Sequence, residues 1–376
     1  MKFIFYIWHM VFLRILLYPL SLLYGTITWL RNKFFDWGIL PSTSFDQPLI
    51  GLGNLSTGGT GKTPHIEYLI QLLKPWFRVA TLSRGYKRKT RGFKFAGPKS
   101  RVRDIGDEPL QMYLKNPDTF VAVCENRKKG VKRILKANPH NEVILLDDVF
   151  QHRYIKPGLN ILLTDYHKIF TRNYVLPTGN LREFRHGAKR ADALVVTKTP
   201  GVFSPLDRKL ILDELSQYQI KKIFFSYIKY GKWIPVNKKA REDKMQKAKT
   251  IFLITGIANP VPLGEHLKRL CTDLKIFRFS DHHQFTSKDL ENVKEKFNET
   301  YSGTKTIVTT EKDSMRLRNP ELIKLLENTP VYYVPIEVDF HQADKKAFNK
   351  MVMDYMKLQY PKKAGKISEK FKRLSS

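Results

Sequence analysis

Cysteine is nearly missing from this chain: Cys124 and Cys271 are the only two among 376 residues. Two thiols cannot build a disulfide framework or a four-cysteine zinc cluster, and their scarcity fits a reducing compartment. No paired H-x3-H or C-x2-C spacing supports a zinc site either. Acidic residues are few, 35 against 66 Lys and Arg, which leaves a formal charge of +31. A field of that sign favours anionic partners: phosphorylated substrates, an anionic bilayer surface or nucleic acid. The cations are spread along the chain and form no basic-aromatic recognition module, so nucleic acid is not the expected partner. Long apolar runs are absent too, because Arg14 interrupts the one candidate short of the ~18 residues a spanning helix needs.

That interrupted candidate is the first thirty residues, "MKFIFYIWHMVFLRILLYPLSLLYGTITWL", which contain no acid and only Lys2 and Arg14 as fixed charges. Wound as a helix, Arg14, Ser21, Gly25 and Thr28 fall on one narrow face, and aromatic and leucine side chains cover most of the rest. The pattern predicts a helix over residues 1–40 that lies in, or dips into, a bilayer interface, with Arg31 and Lys33 at its end. The competing reading is a terminal helix packed on the protein's own core. No A-x-A-like site marks a cleaved signal peptide.

Beyond residue 40 the texture alternates. Buried-type strands are expected at 48–55, 78–86, 119–126, 142–153, 159–165 and 191–200, with helical spacing between them, as in "PHIEYLIQLLKPW". Aliphatic runs separated by helices predict an α/β fold with a mostly parallel sheet covered on both faces. Residues 41–218 form the expected core, 219–249 a two-stranded linker, and 250–376 a smaller α/β domain with a basic tail. Further strands are expected in that domain at 250–260, 274–285 and 304–317.

The stretch "STGGTGKT" (56–63) sits between the first strand and a helix. A phosphate cradle needs inward-pointing backbone N–H groups, residues without a Cβ at the tight bends, and a helix N-terminus behind. Ser56, Thr57, Gly58, Gly59, Thr60, Gly61, Lys62 and Thr63 supply that arrangement, although Ser56 stands where the G-x-x-x-x-G-K-[ST] pattern has glycine. Lys62 can reach the β/γ-phosphates, the Thr63 hydroxyl can ligate Mg²⁺, and Pro64 suits a first helical turn. "VILLDD" (143–148) ends a buried strand in Asp147 and Asp148, the carboxylates such a site needs beside its cation. Pro200 in "TKTP" stands where a guanine-reading Asp would be, which favours ATP.

Taken together and in order, "GNLSTGGTGKTP", "SRGY", "GDEP", "LDDVFQHR", "LPTGNLRE", "RAD…VTK", "DHHQF" and "TTEKD" resemble the motif set of the tetraacyldisaccharide 4'-kinases. The resemblance runs from the N-terminal segment to about residue 340, and departs from the pattern at Phe184, where proline is usual. It implies a P-loop NTPase-like core and ATP- and Mg²⁺-dependent transfer to the 4'-hydroxyl of an acylated glucosamine disaccharide 1-phosphate. It also implies a location on the cytoplasmic face of the inner membrane. On its motifs, Arg84, Tyr86, Arg127, Gln151, His152 and Arg182 are expected on the substrate side, and Glu183 with the metal ligands Thr63, Asp147 and Asp148. Asp107 is the expected general base, oriented by His282, with His283 the alternative, and Lys62 the phosphate-stabilising cation. A membrane-partitioning ATPase would share the loop and the terminal helix, but would ignore an acylated disaccharide.

Overall fold

The computed structural model describes residues 2–281, 283–362 and 365, with side chains from residue 14 onward. In chain order the strands are β1 (Leu49–Asn54), β2 (Val79–Ser83), β3 (Lys94–Phe95), β4 (Phe120–Val123), β5 (Val143–Asp147), β6 (Leu159–Asp165) and β7 (Ala193–Thr197). They continue as β8 (Ile223–Tyr230), β9 (Ile234–Pro235), β10 (Thr250–Thr255), β11 (Asp273–Arg278), β12 (Lys305–Thr310), β13 (Val331–Val334) and β14 (Ile336–Phe340). Among the described residues they form two sheets, ordered β14-β8-β7-β6-β1-β5-β2-β4-β3 and β11-β10-β12-β13-β9. Pairing is parallel except at β14–β8, β3–β4 and β13–β9, all at sheet edges.

The larger sheet is covered on both faces, as its aliphatic strands require. Alternate residues of one strand point to different cores: Val143 and Leu145 join Ile66, Leu69 and Phe348 on one side. Ile144 and Leu146 join Val131 and Ile134 of the Arg127–Ala137 helix on the other. Every residue of β1, β5 and β7 is buried, which is the physical reason these segments read as continuous apolar runs.

Several expectations change here, among them the strand expected at 274–285, which runs Asp273–Arg278. The stretch 304–317 is a strand only to Thr310, because Thr310 caps a helix, Glu311–Leu317, by accepting from the Asp313 N–H. The smaller unit also ends earlier than 376. After β13 the chain returns to the larger sheet, where β14 pairs with β8 and the Gln342–Gln359 helix buries Phe348, Met351, Val352, Met353 and Met356 in its core. β8 and β9 therefore belong to different sheets, and the connection consists of two chain crossings, at Gly231 and Pro335. The Gly231 N–H donates to the Pro335 carbonyl at 2.9 Å and ties the crossings together.

The N-terminal helix, Lys2–Asp36, turns its small-residue face inward. Ser21 and Gly25 are buried, and Ser21 Oγ lies 2.6 Å from Thr178 Oγ1. A Cβ on Gly25 would fall 2.4 Å from the Phe184 ring, so only glycine allows this approach. Leu16, Leu20 and Leu23 remain 64%, 54% and 60% exposed. No helix among the described residues is long and apolar enough to cross a membrane.

His65, in the first turns of the Lys62–Leu73 helix, joins that helix to the far edge of the sheet. Its ring contacts the Gly61 carbonyl at 2.7 Å and Ser226 Oγ at 3.0 Å, and packs edge-on against Phe340. Burial pushes its pKa down to about 4. The unfolded chain therefore takes up this proton first as pH falls below about 6.5. The stabilising contribution is complete above that pH and is lost as pH drops toward 4. Denaturation curves between pH 7 and 5 should show the wild-type stability falling relative to His65→Gln, by at most about 1.4 kcal/mol per pH unit. A pH-independent difference between the two proteins would rule the titration out.

Candidate active site

The glycine-rich loop follows β1 and answers why serine serves at position 56. Ser56 bridges to Leu181, and the Thr57 N–H donates to Asn180 O at 2.7 Å, so the loop's first half runs extended. The left-handed conformations fall later, at Gly58 (φ 109°) and Gly61 (φ 85°), where a side chain would be strained. Gly61 is the N-cap of the helix that begins with Lys62. The end of β7 backs the loop: Thr197 Oγ1 donates to Thr60 O at 2.9 Å, and Lys198 Nζ donates to Gly59 O. Lys198 is itself held by Asp165 Oδ2 at 2.7 Å. This brace by the "VTK" segment has no assigned role in the sequence reading; the motif marks it only as part of the set.

Lys62 Nζ lies 3.3 Å from Asn54 Oδ1 and 3.6 Å from Asp148 Oδ1. Asp148 adopts a positive φ of 50° and is bridged by Arg182 Nη1 at 3.1 Å. Burial alone would raise its pKa, but Lys62, Arg182 and Arg127 outweigh that and hold it below the ordinary carboxylate value. Its neighbour Asp147 behaves oppositely. Burial, reinforced by the Glu108 charge, raises Asp147 to about 7, and its Oδ1 is buried without a hydrogen-bond partner. Two adjacent carboxylates with opposed environments thus sit at one strand end beneath the loop's lysine. Glu108, next to the expected base, enters this electrostatic cluster although no role was read for it.

A buried carboxylate oxygen with no donor is the kind of group a divalent cation satisfies, and Thr63 stands on the adjoining helix. Among the described residues no group of three or more His, Cys, Asp or Glu could hold a metal by itself. Glu183 does not join the carboxylates as expected. Its two oxygens accept from Asn32 Nδ2 and Arg190 Nη2, both at 2.8 Å, and from Gln151 Nε2 at 3.2 Å. Glu183 therefore fastens the N-terminal helix to the core.

The expected substrate residues divide. Arg84, Arg127 and the unforeseen Arg31 all act on His152, whose pKa falls to about 4 through burial first and these cations second. Arg84 and Tyr86 are exposed at the end of β2. Arg127 is only 2% exposed and donates to the Cys124 and Asp147 carbonyls, buttressing the strand ends, while its Nε has no partner among the described residues. Gln151 is likewise a brace, donating to Asn54 O at 2.8 Å and accepting from Arg182 at 3.3 Å.

Asp107 opens the Asp107–Lys115 helix and is 5% exposed. Its Oδ1 accepts from the Glu108 N–H at 3.0 Å, and its Oδ2 pairs with Arg316 from the smaller unit. His282, the expected partner, lies outside the described residues. His283, the alternative, is committed elsewhere: its Nε2 is 2.9 Å from Asp289 Oδ2 and its ring stacks on Phe279.

A family model described as tetraacyldisaccharide-1-P 4'-kinase matches residues 13–357. The chain belongs to that family. It is similar to the tetraacyldisaccharide 4'-kinase of Phocaeicola vulgatus, with 44% identity over 346 residues, 91% of this chain and 94% of the relative. Similarity to the kinase of the same name from Bacteroides fragilis strain YCH46 reaches 46% over 349 residues, covering 91% and 93%. A crystal structure described as the "apo" form of LpxK from Aquifex aeolicus in complex with ATP superposes with a TM-score of 0.69 at 28% identity. That match covers 92% of this chain and 99% of the other. The enzyme is thus a kinase with a mixed α/β fold, and its Phe184 packs beneath Gly25 of the N-terminal helix.

Proposed function

We propose that the enzyme transfers the γ-phosphate of ATP to the 4'-hydroxyl of a tetraacyldisaccharide 1-phosphate, forming lipid IV-A at the cytoplasmic face of the inner membrane. The observation that carries this reading is a shared location. The helix that exposes leucines to solvent is fastened by Arg31 to Gln151, which braces the phosphate loop's strand at Asn54, and by Asn32 to Glu183, which accepts from Gln151. A lipid acceptor and a nucleotide are thereby offered to one rim of the sheet, where strand carboxyl ends place ligands. ATP is supported by the relative solved with it, and by a loop and Lys62 of suitable form.

In this mechanism the loop amides and Lys62 hold the triphosphate and stabilise charge that develops on the transferring group. Thr63, Asp147 and Asp148 would hold Mg²⁺, which would supply charge neutralisation for the triphosphate. Arg84, exposed at the rim beside the Arg31–His152 cluster, faces the acceptor's anionic end. Asp107 accepts the proton of the 4'-hydroxyl as the phosphoryl group arrives.

Transfer of radiolabelled phosphate from ATP to the purified disaccharide 1-phosphate in mixed micelles tests the reading. Hydrolysis of ATP at a rate indifferent to the lipid would overturn it in favour of a partitioning ATPase. The helix gives a second expectation. Each leucine that leaves water contributes about 1.5–3 kcal/mol, so replacing Leu16, Leu20 and Leu23 together with Glu should abolish binding to anionic vesicles. The KM for the lipid should rise about tenfold or more while the KM for ATP stays put. Undiminished vesicle binding, measured by sedimentation, would move the membrane contact to the basic surface.

A further inference from the structure

The two units meet along a seam between two helices. The Asp107–Lys115 helix of the larger unit and the Glu311–Leu317 helix of the smaller one present ion pairs end to opposite end. Asp107 pairs with Arg316, Glu108 Oε1 with Lys312 Nζ at 3.0 Å, and Lys115 Nζ with Glu311 Oε1 at 3.0 Å. The Arg316 pair differs from the others in burial: its side chain is 1% exposed and that of Asp107 6%. A pair removed from water to this degree is geometrically committed, unlike the exposed pairs that contribute little.

Arg316 is also oriented from behind. Its Nη1 donates to Asp313 Oδ1 at 2.7 Å. Asp313 Oδ2 accepts from the Gly256 N–H at 2.9 Å and from Thr310 Oγ1 at 2.7 Å. The smaller unit thus sets the plane of the guanidinium before it reaches across the seam, and a planar fork transmits that orientation to the carboxylate it binds. The other Asp107 oxygen is steered by the Glu108 N–H of its own helix.

We propose that Arg316 is a positioning residue for the transfer reaction: it aims the Asp107 carboxylate from the smaller unit, so that the base is set only while the two units are docked. The inference rests on the reading of Asp107 as general base. The braces of the phosphate loop itself come from the larger unit, so a change at Arg316 is expected to act on kcat more than on nucleotide affinity.

The test is a double-variant cycle on the full chain, with kcat and KM for ATP and lipid measured well below the melting temperature of each protein. Arg316→Lys keeps the charge and loses the fork; it should lower kcat about ten- to a hundredfold and leave the KM for ATP within about twofold. On an Asp107→Asn background the same change should cost no further rate, because the group it aims is already gone. Asp313→Asn, which keeps the shape while loosening the hold on Arg316, should give a smaller fall that vanishes on the same background. This variant serves if Arg316→Lys does not fold. Equal losses in both backgrounds would show a structural role and overturn the proposal, as would wild-type kcat in Arg316→Lys. Near-wild-type kcat in Asp107→Asn alone would instead remove the base beneath the proposal, and the proposal with it.

Discussion

Lys62→Ala is expected to lose on the order of a hundredfold or more in kcat. The side chain heads the helix after the loop, with its ammonium placed between Asn54 and the Asp148 carboxylate. A cation at that point meets charge that grows on the phosphoryl oxygens during transfer, in a site partly shielded from water, where such contacts are worth most. Alanine is the best helix former, and Asp148 retains its bridge to Arg182, so the fold should survive the change. A melting temperature close to wild type, alongside collapsed turnover, is the combined signature. Near-normal turnover in a folded Lys62→Ala enzyme would remove the nucleotide-site assignment.

Asp107→Asn should reduce kcat by roughly a hundred- to ten-thousandfold, the range attributable to a general base, with little change in the KM for ATP. A sugar hydroxyl is a poor nucleophile until its proton has somewhere to go. Asp147 and Asp148 are the candidates for metal binding, and Asp148 is further engaged by Lys62 and Arg182. Asp107 lies on a different element, directly before Glu108, whose charge is felt at Asp147. Asparagine preserves shape and can still accept from the Glu108 N–H, but it cannot take a proton. Single-turnover measurement of phosphate transfer checks this step apart from product release. A burst rate equal to wild type would send the search for the base to another residue.

The nucleotide loop was legible in the sequence because its geometry is local. Glycines at 58 and 61, a lysine at the helix start and an apolar strand in front are all set within a dozen residues. The buried strands were legible for a related reason: a sheet covered on both faces demands unbroken aliphatic runs such as 143–146. The face of the N-terminal helix bearing Ser21 and Gly25 could also be drawn from periodicity alone. Its orientation could not. Whether the small or the apolar face turned inward depended on the Phe184 ring and Thr178, some 150 residues on, as the 157-residue separation of the Ser21–Thr178 contact shows.

The roles of charged residues proved the least legible, since charge alone does not reveal its partner. Glu183 and Arg127 carry the residue types of a metal ligand and an anion binder, yet burial commits one to Asn32, Gln151 and Arg190 and the other to backbone carbonyls. Arg316 reaches Asp107 across 209 positions of chain, a distance at which no spacing rule operates. The return of residues 336–359 to the larger sheet was hidden for the same reason: pairing of β14 with β8 joins segments about a hundred residues apart. By itself, then, the sequence determined the loop, the buried strands and the excess of positive charge, because these depend on neighbouring residues and composition. Only the tertiary structure decided which carboxylate oxygen is buried without a donor, which face of the first helix meets the outside, and how the smaller unit reaches Asp107. Each of these is an outcome of burial and partner choice between elements that the chain order keeps apart.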